Sequence, residues 1–184
     1  AGAFRSVGEV FQILGDLKNA VASFNEALSL CKRSKSQTEE SRVLNGLSYA
    51  HFLEGDGKQA KDESLVALDL ATKLGDRKIE AQALSNLAES VFLLGDLANA
   101  QKHQLRAYAL WSELGDLKGK ALSQIALGYY NANLSEPRTA LEFLQQALNS
   151  AQEANDVRGQ ALALNAKGNI LAKLGRKQEA IEAF

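Results

Sequence analysis

The chain has 184 residues, 46% of them hydrophobic, with 21 Lys+Arg against 22 Asp+Glu and a formal net charge of −1. That balance excludes an intrinsically disordered chain and lacks the positive footprint of a general nucleic-acid binder. The single Cys allows no internal disulfide, and the single Pro permits long uninterrupted helices.

In chain order the segments repeat. The first unit, residues 1–40, turns at Leu14-Gly15-Asp16 and again at Ser34-Lys35-Ser36. The second, 41–80, turns at Glu54-Gly55-Asp56 and Leu74-Gly75-Asp76, and the third, 81–120, at Leu94-Gly95-Asp96 and Leu114-Gly115-Asp116. The fourth, 121–160, carries Ser135 in the glycine place and ends on Ala154-Asn155-Asp156; the partial fifth, 161–184, turns at Leu174-Gly175-Arg176. Gly or Asn suits the left-handed conformation that closes a helix, and the Asp that follows can cap the next one. Five residues after each mid-unit turn stands an alanine (Ala20, Ala60, Ala100, Ala140, Ala180), with a second small-residue series at Ala27, Ala67, Ala107 and Ala147.

Each unit therefore holds two predicted helices of roughly 15–18 residues. Apolar residues recur at helical spacing, as in Leu44, Leu47, His51 and Leu84, Leu87, Val91 on the first helices. Leu28, Leu68, Tyr108 and Leu148 repeat one slot on the second helices, and no segment alternates as a strand would. The expected fold is all-α, a solenoid of stacked antiparallel helix pairs, with 1–184 as a single repeat domain.

Little in the chain suggests chemistry. A metal site needs convergent ligands, and only His51, His103 and Cys31 stand beside the carboxylates. His51 takes the slot of Phe11, Val91 and Leu171 and is expected to pack between helices; His103 falls one place before a core slot and is expected at the surface. Cys31, in the slot of Ala71, Trp111 and Ala151, reads as a small buried hydrophobe. The Gly-Asp pairs lack the spacing and strand of a phosphate loop. The reading is of a protein that is not an enzyme, with no catalytic residue, no metal and no cofactor. No apolar run approaches the ~18 residues that span a bilayer, and no signal-peptide pattern opens the chain. Cytoplasmic location is expected, with no membrane and no nucleic-acid partner.

The first unit reads Phe4, Val7, Gly8, Phe11, Gly15, Ala20, Phe24, Ala27. This resembles the tetratricopeptide repeat, and Leu127-Gly128 with Ala140 and Ala147, then Gly168, Gly175, Ala180 and Phe184, restate the pattern. The period exceeds the family's commoner one of about 34 residues, and the family's Pro at the unit's end is absent. Long-period units of this kind are similar to those of kinesin light chains, Leu-Gly-Asn polarity proteins and bacterial signalling proteins.

The resemblance implies a right-handed superhelix whose first helices line a concave groove for a protein or peptide ligand. In the family, contacts come from the second, fifth, ninth, twelfth and thirteenth places. The second unit puts Arg42, Asn45, Tyr49, Phe52 and Leu53 there, and the third Gln82, Ser85, Glu89, Phe92 and Leu93. The fourth supplies Ile125, Tyr129 and Asn133; the fifth supplies Asn165, Asn169 and Lys173. Tyr49 and Tyr129 are the expected anchors, with Asn45, Asn165 and Asn169 turned to a peptide backbone. Glu63 and Glu142, on second helices, are expected to take no part. The family's carboxylate clamp does not carry over, because Glu9 and Glu89 would repel a carboxylate. Arg42 and Lys173 against Glu9 and Glu89 set no sign for the ligand.

A second reading makes the array the sensor or regulatory arm of a larger bacterial signalling or transcription-regulator protein. Ile181 and Phe184 would leave an apolar edge half covered. Solenoids cap such edges, so a fragment of a longer array, or self-association through the repeat ends, is expected.

Overall fold

Every turn anticipated above closes through a residue with positive φ. The glycines supply most of them, and Lys35 (φ 53°), Ser135 (φ 62°) and Asn155 (φ 51°) hold the same conformation without glycine's freedom. At the first turn Gly15 N–H donates to the Gln12 carbonyl at 3.2 Å and Asp16 N–H to the Phe11 carbonyl at 2.9 Å, which reverses the chain within three residues. The computed structural model describes residues 1–184, all-α, as ten helices and no strand. They are α1 (Gly2–Ile13), α2 (Leu17–Ser34), α3 (Gln37–Glu54), α4 (Gly57–Leu74) and α5 (Arg77–Leu93). There follow α6 (Leu97–Glu113), α7 (Leu117–Asn133), α8 (Pro137–Glu153), α9 (Val157–Lys173) and α10 (Lys177–Ala183). The result is a helical solenoid of antiparallel pairs, none of whose helices is long and apolar enough to cross a membrane.

The Asp after each glycine caps as expected in most turns. Asp16, Asp56, Asp76 and Asp116 each accept from a backbone N–H three residues on, Asp56 from Gln59 at 3.0 Å. Asp156 occupies the same place but makes no such bond. An N-cap side chain is worth about 1 kcal/mol. Asp56→Ala is thus expected to lower unfolding stability by about that amount and Asp156→Ala by clearly less. Urea unfolding of both variants checks it.

The helices form two compact units, residues 1–103 and 104–184. In the first, Phe24 of α2 is fully buried between Gly8 of α1 and Gly46 of α3. A Cβ on either glycine would meet the Phe24 ring at 2.8 or 2.6 Å, so both must lack one. Ala20, Ala27, Ala60, Ala67 and Ala100 are fully buried, as the repeat phase requires. Around Ala60 the contact is also polar: its carbonyl accepts the hydroxyls of Ser48 and Ser64, each at 2.8 Å. Farther along the same helices, the Ser41 hydroxyl donates to the Ala67 carbonyl at 2.8 Å. Cys31 is fully buried beside Phe24 and Ala27, and burial pushes its thiol pKa up, as befits an inert core residue.

The second unit repeats the logic with different residues. Leu144 of α8 lies against Gly128 of α7, the Phe184 ring against Gly168 of α9, and the Trp111 indole against Gly119. Ala140, Ala147, Ala163, Ala166 and Ile170 complete its core with Leu144.

Candidate functional site

In unit 1 the first helices α1, α3 and α5 lie side by side. Their register is held by polar side chains that reach the neighbouring backbone. Gln12 Nε2 donates to the Gly46 carbonyl at 3.3 Å, and Asn45 Nδ2 to the Ile79 carbonyl at 3.4 Å. Asn86 Nδ2 donates back to the Asn45 carbonyl at 2.8 Å, and Gln82 Nε2 to Asn86 Oδ1 at 3.0 Å. Asn45 is only 7% exposed. The expectation that it would face a ligand backbone is corrected: its amide already serves the backbone of the next helix. Asn86, which sequence reasoning missed, carries most of this tie. Its sign was an amide in a slot held elsewhere by Gly46 and Ala126.

Tyr49 remains at the surface, 36% exposed, and its ring stacks on half-buried Phe52 with centroids 6.0 Å apart and planes 25° from parallel. Leu53 of α3 and Leu93 of α5 are exposed as well, and Phe92 of α5 is half-buried. Arg42 is exposed and leans toward Glu39 (3.7 Å) and Asp76 (3.9 Å). Gln82 is exposed and Ser85 half-buried, its hydroxyl bonded to the Ala81 carbonyl at 3.2 Å.

Glu89 departs most from its sequence reading. It is half-buried, its Oε2 is shut from solvent without a hydrogen-bond partner, and burial pushes its pKa up to about 7. The folded chain therefore holds this proton more tightly than the unfolded one. The stability so gained is full below the ordinary value of 4.5 and is lost as pH rises through about 7. Glu89→Gln is expected to melt above wild type at pH 8, with the gap shrinking toward pH 5. Thermal melts at the two pH values measure it.

In unit 2, Tyr129 is 38% exposed and Asn133, Asn165 and Asn169 stand exposed. Asn169 Nδ2 donates to Asn165 Oδ1 at 2.6 Å, and Asn133 Nδ2 to the Tyr129 carbonyl at 2.8 Å. Ile125 is 8% exposed and packs in the core, a correction to its place among surface contacts. An open polar depression of about 220 Å³ lies elsewhere in the unit, lined by Lys120, Gln124, Gln146, Ser150 and neighbours. Its buried Ser150 and Gln124 bond each other, Ser150 Oγ donating to Gln124 Oε1 at 2.9 Å, and Gln124 Nε2 donates outward to exposed Gln146 Oε1 at 3.3 Å.

His51 is buried as expected, 6% exposed, but not alone: its Nδ1 is 2.8 Å from Glu63 Oε2 on α4. Burial raises the Glu63 carboxyl, and the bond to His51 offsets part of that. Glu63 is thus half-buried and tied to His51, so exposed Glu142 is the cleaner reference on the second helices. His103 is half-buried on α6 rather than at the surface.

Models of the family described as tetratricopeptide repeat match residues 79–153, and residues 6–33 with 161–184. No curated protein matches the chain in sequence. Among solved structures, it is similar to a Rap protein complexed with competence and sporulation factor, at 16% identity and a TM-score of 0.91. That match covers 98% of this chain and 50% of the other, so the chain spans half the Rap protein's length. A putative kinesin light chain of Podosopora anserina, with nearly identical TPR-like repeats, matches at 14% identity and a TM-score of 0.73, over 98% and 90% of the two chains. A signal transduction ATPase with numerous domains from Pyrococcus horikoshii, which has a tetratricopeptide repeat sensor, matches at 13% and 0.74, over 97% and 28%. At such identities the likeness shows the fold.

Proposed function

Because the chain belongs to the tetratricopeptide repeat family, we propose that it binds an extended peptide segment of a partner protein on the face of its first helices. It is an interaction or regulatory repeat module; the ligand class and face are the proposal. The observation that carries it is the exposed Tyr49 ring, stacked on half-buried Phe52 of the same helix. Rigid aromatic surface of this kind gives large contact area at small entropic cost, and such residues dominate binding energy at interfaces. Tyr129 with Asn133, Asn165 and Asn169 offers a comparable surface in unit 2. The proposed role is binding without catalysis: the imidazole of His51 is committed to Glu63, and the Cys31 thiol is buried.

A second reading, the sensor arm of a larger signalling or transcription-regulator protein, is favoured by the likeness to the Rap protein complexed with competence and sporulation factor and to the Pyrococcus horikoshii protein with its repeat sensor, of which this chain spans 50% and 28%. An ATPase or DNA-binding domain on the same polypeptide would select it.

The test is hydrogen exchange on the chain saturated with a dodecapeptide selected from a displayed random library. Added protection is expected in α3 and α5, or in α7 and α9. Protection confined to α4 and α8 would overturn the assignment.

A further inference from the structure

Unit 1 is sealed at one place by leucines. Leu44 of α3 packs there with Ala67 and Ala83, and half-buried Leu28, Leu68 and Leu70 close over them. Two repeats further on, the places of Leu28, Leu44 and Leu70 hold Tyr108, Gln124 and Ser150. All three line the depression of about 220 Å³ in unit 2. The exchange is confined to this repeat: Leu84 and Leu164 stand at the place of Gln124, and Leu30 and Leu110 at that of Ser150. Gln124 and Ser150 are 2% and 6% exposed and bond each other at 2.9 Å. A buried polar pair in a slot for packed leucines is a cost to stability, and departures of this kind gather at functional sites. A polar recess stands where the other unit has a seal.

The rest of the lining decides what fits. Gln146 commits its side-chain carbonyl to Gln124 Nε2, and Asn149 accepts from Gln145 Nε2 at 3.2 Å, so both amides have their N–H groups left to donate. Half-buried Lys120 adds an ammonium near the start of α7, and exposed Glu153 adds a carboxylate at the end of α8. Amide donors beside an ammonium suit an anion, while the carboxylate suits a cation. The volume equals roughly seven waters at ~30 Å³ each and falls below that of sites for drug-sized molecules. A small molecule that carries both charges meets all of these conditions.

We propose that this depression is a binding site for a free α-amino acid. Lys120 and the amides of Gln146 and Asn149 receive its carboxylate, and Glu153 receives its ammonium. The site uses neither Tyr49 nor Tyr129 and stands apart from the peptide-binding reading above.

The experiment titrates the common L-amino acids one by one, at millimolar concentration, into the chain by calorimetry. At least one is expected to give a saturable isotherm. Gln124→Leu/Ser150→Leu restores the leucines of the other repeats and should abolish that isotherm, with circular dichroism confirming the fold. Lys120→Gln and Glu153→Gln, both outside the buried core, should each weaken binding by about tenfold or more. The primary amide of the same amino acid lacks the carboxylate and should bind wild type and Lys120→Gln equally weakly. Its N-acetyl derivative lacks the ammonium and should not distinguish wild type from Glu153→Gln. No saturable isotherm from any amino acid, or one kept intact by the leucine double variant, would overturn the inference. So would an N-acetyl derivative that binds wild type as tightly as the free amino acid, because the site would then read a carboxylate alone, as at a peptide C-terminus.

Discussion

Ala60→Leu should melt well below wild type, whereas Ala98→Leu should melt close to it. Ala60 has no exposed surface, and its carbonyl accepts two serine hydroxyls, one from α3 and one from its own helix. The added branched chain has no room, so α3 and α4 must separate and strain those bonds. Overpacking of this kind costs about 1–3 kcal/mol, and loss of a buried hydrogen bond adds about 1 kcal/mol more. For a chain of this size each kcal/mol moves the melting temperature by roughly 2–4 °C, so a drop on the order of 5–15 °C is expected. Ala100, also fully buried at the equivalent place, should behave like Ala60. Ala98 is exposed on α6, where a larger side chain meets solvent. Equal shifts at all three positions in differential scanning calorimetry would contradict the phase of the repeat.

That phase was the most legible feature of the chain, for a physical reason. A turn needs a left-handed residue and a cap within three positions, and close helix contact needs a small residue at fixed distances from it. Both constraints are local or periodic, so Gly15, Asp16, Ala20 and Ala27 announce themselves by spacing alone. Lys35, Ser135 and Asn155 show that the geometry survives where glycine is missing.

The polar residues of the surface were harder to place, because their fate depends on what the next helix offers. Asn45 and Asn165 hold equivalent places in the repeat, yet Asn45 is buried against α5 and Asn165 is exposed beside Asn169. The Glu63 bond to His51 was not foreseen, because His51 lies twelve residues away on another helix. A histidine in an apolar slot was itself the sign, since a buried polar ring requires a partner. Nothing in the spacing separates Glu89 from Glu9. One is shut from water and the other reaches an arginine on its own helix.

The second large effect concerns the aromatic anchors. Tyr49→Ala removes an exposed ring whose loss leaves the core of unit 1 in place, and Tyr129→Ala does the same in unit 2. Truncating an aromatic anchor typically costs ~2 kcal/mol or more of binding, about thirtyfold in affinity. Each single variant is therefore expected to lose binding of peptides seated on its own unit, and the double variant to lose detectable binding altogether. Helical circular dichroism should be unchanged and the melting point nearly so, because neither tyrosine belongs to the buried core. Glu142→Ala, exposed on α8, should bind as wild type does.

The most direct measurement is calorimetric titration of one selected dodecapeptide into wild type, Tyr49→Ala/Tyr129→Ala and Glu142→Ala. A wild-type isotherm retained by Glu142→Ala and abolished in the tyrosine pair is the result expected for binding on the first helices. A full isotherm from the tyrosine pair, with binding weakened in Glu142→Ala, would contradict it and move the binding surface to the second helices.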